Sequence, residues 1–240
     1  FFFKQKTAYE IPKRDWSSDV CSSDLAKAQQ LLQGLPAGVS CELLPWVQEV
    51  QPLAQAQRID VPFESAQAHV FMGQPGIARL HPDFMALTVG NYVLGGGGFV
   101  SRLTEQVREK RGLSYSIYSY FAPGQHAGAF TVGLQTRPDQ AAQAVEVAQQ
   151  VVSEFVAKGP TEAELQAAKD FLIGGFALRL DSNRKLMDNL SNIAWFDLPL
   201  DYLDTWTQQV SRLTVNDIQQ AFARSEEHTS ELQSRFGISY

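Results

Sequence analysis

Apolar positions recur along the chain with two different periods, and the places where one period gives way to the other outline the elements. Ala26–Gln33 has the character of a helix end, closed by Gly34 and Pro36. Leu35–Gln57 contains Pro and Gln with weak periodicity and reads as a linker. Alternation through Ile59, Val61 and Phe63, then through Val70 and Met72, predicts strands over Arg58–Pro62 and Ala66–Gly73. Pro75–Pro82 is a loop. Helical spacing then begins after Asp83, through Phe84, Leu87, Val89, Tyr92 and Val93, and Gly95–Gly98 stops it. Ser101 is a good N-cap for a short helix over Arg102–Lys110, which carries Leu103 and Val107 and ends at Gly112. Ser114–Phe121 and Ala127–Thr136 flank a Pro123-Gly124 turn and read as a hairpin.

Downstream of the hairpin the pattern is helical. Pro138 opens a helix whose stripe over Ala141–Ala157 runs through Ala144, Val147, Ala148, Val151, Val152 and Phe155, before Gly159-Pro160 breaks it. Thr161 and Glu164 form a capping box that opens a long helix toward Leu180. Ser182 caps a further helix through Trp195, and Thr214 with Asp217 caps one more. Two early strands, a central hairpin and a helix-rich remainder describe an α+β domain, with helices packed on one face of an antiparallel sheet. The irregular order of elements excludes a doubly wound parallel sheet.

The two ends have a different character. Asp15–Leu25 reads DWSSDVCSSDL and Arg224–Ser234 reads RSEEHTSELQS, and both resemble translations of opposite strands of one sequencing-adaptor oligonucleotide. Phe1–Arg14 is expected to share that origin. The expected organisation is an adaptor-derived, disordered 1–25, a linker or end of a preceding domain over 26–57, a main domain over 58–223, and an adaptor-derived 224–240.

Composition narrows the function classes. The chain has 240 residues and a net charge of −6, without the clustered Lys and Arg of a nucleic-acid surface. No apolar run has the length of a bilayer span. Cys21 and Cys41 are too few for a disulfide framework or a thiolate zinc site. The compartment stays open between bacterial periplasm and cytoplasm.

Candidate chemistry concentrates in Asn91–Tyr120, NYVLGGGGFVSRLTEQVREKRGLSYSIYSY. Four glycines leave backbone N–H groups open and permit close approach of another chain. Arg108 ends the short helix and Tyr115 opens the following strand, seven positions later. That arrangement can bring a guanidinium and a phenol to one spot, where they can donate to peptide carbonyls or to a developing oxyanion. The residues alone fit a surface pair as well. Tyr118 and Tyr120 alternate with Tyr115 and read as packing on the opposite face.

The run GGGG-x-x-SRL-x-x-x-x-RE-x-x-GLSY resembles the C-terminal domain of pitrilysin/insulinase zinc metallopeptidases. GPTEAELQAAKD (Gly159–Asp170) and DYLDTW (Asp201–Trp206) resemble the later helices of that domain. The resemblance implies a metallopeptidase-half (LuxS/MPP-like) fold. It implies that Arg108 and Tyr115 are the catalytic pair that grips substrate backbone and tetrahedral intermediate; Gly95, Gly96, Gly97 and Gly98 are expected to shape the helix connection that sets Arg108 and to bind substrate. The family's zinc signature, H-x-x-E-H, is absent: none of His69, His81, His126 and His228 has a second His four positions on. The resemblance therefore places zinc in a homologous partner half, on the same chain or on another subunit, with no metal or other cofactor in this segment. The expected partners are that zinc-bearing half and a peptide substrate, and the segment alone should not cut peptides. The family also resembles the core proteins of the respiratory bc1 complex, where the fold serves assembly, so a structural subunit is the alternative. A peptide-recognition subunit without a part in catalysis is a third reading.

Overall fold

The computed structural model describes residues 22–34, 47–51, 55, 57–62 and 64–227. The expectations for 1–21, for most of the linker and for 228–240 lie outside the described residues. Two units are distinguished, Phe1–Val47 and Gln48–Tyr240. In the first, helix α1 spans Ser22–Gln33 and is followed by Gly34.

The second unit is built on an antiparallel sheet of three strands, β1 (Ala68–Pro75), β2 (Ser116–Ala122) and β3 (Ala129–Thr136), in the order β1-β3-β2. Register pairs Val70 with Leu134 and Met72 with Val132 on one side, and Ile117 with Leu134 on the other. Strand residues alternate between faces. Val70, Met72, Ile117, Phe130, Val132 and Leu134 are accordingly buried, while Phe71, Tyr118 and Tyr120 stay exposed on the reverse. The buried face carries α2 (Phe84–Asn91) and α3 (Ala141–Lys158). α4 (Glu162–Gly174), α6 (Tyr202–Arg212) and α7 (Val215–Glu227) extend the same core through Leu165, Trp206, Val210, Ile218 and Phe222. Phe155 of α3 meets Phe222 of α7 edge-on at 4.9 Å. This is the α+β, one-faced arrangement the patterning predicts. Tyr118 and Tyr120 stack on each other at 6.1 Å on the open face of the sheet.

Three elements differ from the expectation. Arg58–Pro62 is not a strand: Ile59 makes a lone bridge, and Ile59 and Val61 are exposed. Its polar residues pair locally, Arg58 Nε with Asp60 at 3.0 Å, and Pro62 offers no N–H to a ladder. The helix expected to stop at the glycines instead continues, as a π-helical turn over Tyr92–Gly96. α4 ends at Gly174, and only a 3-10 turn, Phe176–Arg179, follows toward Leu180. The Gly174-Gly175 pair weakens helix propagation there. α5 (Asn183–Trp195) follows, capped by Ser182, whose hydroxyl accepts from Lys185 N–H at 3.4 Å.

Arg224 and Ser225, which the sequence assigns to an adaptor-like segment, lie in α7. Arg224 makes two hydrogen bonds to the Asp83 carboxylate, at 2.6 and 2.8 Å, and Ser225 is buried.

Candidate functional site

Arg108 reaches its place through two local signals. Ser101, fully buried, donates its hydroxyl to the Gly98 carbonyl at 2.8 Å and accepts from Thr104 N–H at 3.5 Å, which starts the short helical segment. Leu103 and Val107 anchor that segment in the core, and its main part, Thr104–Glu109, is π-helical. Gly112, at φ 61°, ends it, with its N–H donating to the Arg108 carbonyl at 2.8 Å. Only glycine adopts that conformation without steric cost.

Tyr115 is set by the hairpin. Its N–H donates to the Gln135 carbonyl at 3.0 Å, one step beyond the end of β2, and the Thr136 hydroxyl donates to the Leu113 carbonyl just before it. The tyrosine is 74% exposed. Its parity matches that of Ile117, yet it stays exposed between the buried Leu113 and Ile117.

The helix and the strand are fastened to each other through Asn91 and Ser119. The Asn91 amide donates to the Ser119 carbonyl at 3.0 Å, and the Ser119 hydroxyl returns a bond of 2.6 Å to Asn91 Oδ1. Gly95 makes this approach possible: a Cβ there would lie 2.3 Å from the Ser119 hydroxyl and 2.6 Å from its backbone N. That contact, absent from local sequence signals, explains why the helix runs through the glycines.

Arg108 and Tyr115 therefore meet, with the guanidinium carbon 6.0 Å from the tyrosine ring centroid. The guanidinium also lies over the ring of Phe99, at 4.8 Å. Its contact with Glu109 is long, 3.6 Å through Nε. Neither the terminal nitrogens of Arg108 nor the Tyr115 hydroxyl bonds to another side chain among the described residues. Of the four glycines, Gly95 is buried against β2, Gly97 is partly covered, and Gly96 and Gly98 are exposed. The structure thus brings Arg108 and Tyr115 together beside the turn that begins at Gly98, with Gly95 buried against β2.

Arg102, on the same segment, is fully engaged. It forms two bonds to Glu164, at 2.7 and 2.6 Å, and its guanidinium lies 5.1 Å from the Phe155 ring centroid. Glu164 also accepts from the Thr161 N–H at 2.7 Å, completing the capping box of α4. The Arg102 bonds, reinforced by those from Thr161, hold the Glu164 carboxyl down at about 2. Sequence reasoning identified the capping box and missed its junction with Arg102. It also missed Asn91, Ser119 and Phe99, although all three lie within the string it singled out.

Among the described residues, no group of three or more His, Cys, Asp or Glu is placed to hold a metal ion. Nor is any helix there long and apolar enough to cross a membrane. The described residues thus form an α+β domain in which Arg108 and Tyr115 meet at the surface. The family model for the peptidase M16 inactive domain matches residues 24–172, and the chain belongs to that family. A non-peptidase homolog, YmxG, of Helicobacter pylori is 35% identical over 159 residues, covering 65% of this chain and 36% of that protein. An uncharacterized zinc protease of Streptomyces coelicolor is 33% identical over 157 residues, covering 65% and 34%. The peptidase M16 inactive domain of Pseudomonas fluorescens superposes with a TM-score of 0.81 at 34% identity, over 92% of this chain and 50% of that one. The chain thus spans about a third of the length of these curated relatives.

Proposed function

We propose that this chain is the non-zinc half of an M16 zinc metallopeptidase, which holds an extended peptide for a zinc-bearing half. The observation that carries the reading is the meeting of Arg108 and Tyr115, both accessible and neither tied to a close carboxylate. Arg108 anchors substrate backbone carbonyls. Tyr115 donates its hydroxyl to the oxygen that gains charge as the scissile carbonyl becomes tetrahedral. The exposed Gly96 and Gly98 give the peptide room to lie close. Zinc, held by the other half on the same chain or on a second subunit, supplies the Lewis acid and the activated water.

The test is Tyr115→Phe in the complete enzyme. Loss of one oxyanion donor costs about 100-fold in kcat, with KM changed far less. Unchanged turnover would remove the oxyanion role. A second reading, a structural subunit without proteolysis, is favoured by one relative's being a non-peptidase homolog. Under it, Arg108→Ala and Tyr115→Phe would leave assembly intact, and no peptide cleavage would accompany the native complex.

A further inference from the structure

We infer that Phe99 and Val100 form an apolar subsite of the peptide clamp and select substrates with a large hydrophobic side chain beside the gripped backbone. This rests on the reading of Arg108 and Tyr115 as a peptide clamp.

Both residues lie on the 3-10 turn Gly98–Val100 and are 73% and 75% exposed. The turn is not a loose loop. Gly98 begins it at φ 61°, and the buried Ser101 closes it with both its N–H and its hydroxyl on the Gly98 carbonyl, at 3.1 and 2.8 Å. Two large apolar side chains are therefore held in water on a fixed frame. A single exposed apolar residue is ordinary on a protein surface. An adjacent pair, on a fixed turn whose Phe99 ring lies under the Arg108 guanidinium, is a different case.

Position supplies the occupant. The Arg108 guanidinium lies over the Phe99 ring at 4.8 Å, so a peptide whose carbonyl meets Arg108 passes within a side-chain length of Phe99. Along an extended chain, residues facing the same way recur about every 7 Å, so one of them falls on the Phe99–Val100 surface. Desolvation of that surface by a Leu or Phe side chain favours binding, and a Ser or Asp side chain gains nothing there. The charge arrangement agrees: the ring face toward Arg108 is taken by the cation, which leaves the remaining ring surface for an apolar group.

The experiment uses the whole chain and fluorescein-labelled extended peptides, identical except for Leu or Ser at one central position, with fluorescence anisotropy as the readout. The Leu peptide should bind about tenfold more tightly than the Ser peptide. Phe99→Ser should reduce that ratio below about twofold. Phe99→Leu should retain the preference, because it keeps the apolar surface and removes only the ring. Since Phe99 is exposed, an unchanged Tm checks that Phe99→Ser is folded. The subsite is overturned if binding needs Arg108 yet the wild-type ratio is near one, or if Phe99→Ser leaves the ratio intact. If no peptide binds, or Arg108→Ala alters nothing, the clamp reading itself fails and takes the subsite with it.

Discussion

Arg102 and Arg108 leave opposite ends of one short helical segment, six positions apart. At the first end the guanidinium is locked between a carboxylate and a phenylalanine ring, and it joins the glycine-rich stretch to α4. At the second end the guanidinium lies near two exposed rings, and its carboxylate contact is long. The two residues are chemically identical, and only their partners separate a structural bolt from a hand held open. An Arg whose donors are satisfied internally contributes to stability; one whose donors face outward is available to a ligand.

Several substitutions would break or sharpen this contrast. The largest effect is expected below both arginines. Gly95→Ala drives a methyl group into the Ser119 backbone and should destabilise the domain by about 3 kcal/mol in urea unfolding, because packed interiors resist added volume. Arg102→Ala should cost about 2 kcal/mol, since it removes two charge-assisted bonds and leaves Glu164 with only Thr161 as partner. Acid should reproduce part of that loss. Glu164 titrates at about 2 when folded against its ordinary 4.5, so its stabilisation is complete above pH 4.5 and disappears as the pH falls through that interval. Glu164→Gln and Arg102→Ala should both flatten the stability curve there, and a curve that stays steep in both would sever the link. Arg108→Ala should change stability by less than about 0.5 kcal/mol, as expected for a side chain whose ion pair is long and whose ring contacts are to exposed residues. A larger loss would make Arg108 a structural residue like Arg102.

Much of this site could be read from the string itself, because Ser101 and Gly112 are local signals and their spacing fixes where Arg108 leaves the helix. Tyr115 was legible for a similar reason, as the residue between a glycine stop and an alternating strand. The glycines were harder. After an apolar-periodic run, a glycine cluster reads as a stop, and nothing nearby announces that Ser119, on a later strand, needs Gly95 to be bare. Arg102 presents the same difficulty, since its partner lies 62 positions away. The short alternation at Ile59 and Val61 misled in the other direction: the apolar pattern was present, but among the described residues it forms only a lone bridge and both side chains stay exposed. α6 shows the limit of capping signals. Asp201 makes no side-chain cap there, and the helix rests on burial of Trp206 and Val210, with Trp206 stacked on Phe176 at 4.7 Å. Local rules therefore located the ends that carry a cap or a left-handed glycine, and contacts between distant segments decided the others.

The single carboxylate of Glu164 closes the first turn of α4 and also receives the guanidinium that follows the glycines. One side chain thus belongs to two pieces of structure that are remote along the chain. Local opening of either piece releases bonds of the other, so the two should not open independently. In hydrogen exchange, the amides of the first turn of α4 and those of the segment carrying Arg108 should share one opening free energy, behaving as a single cooperative unit. The surface that carries Arg108 would then draw part of its rigidity from the start of α4.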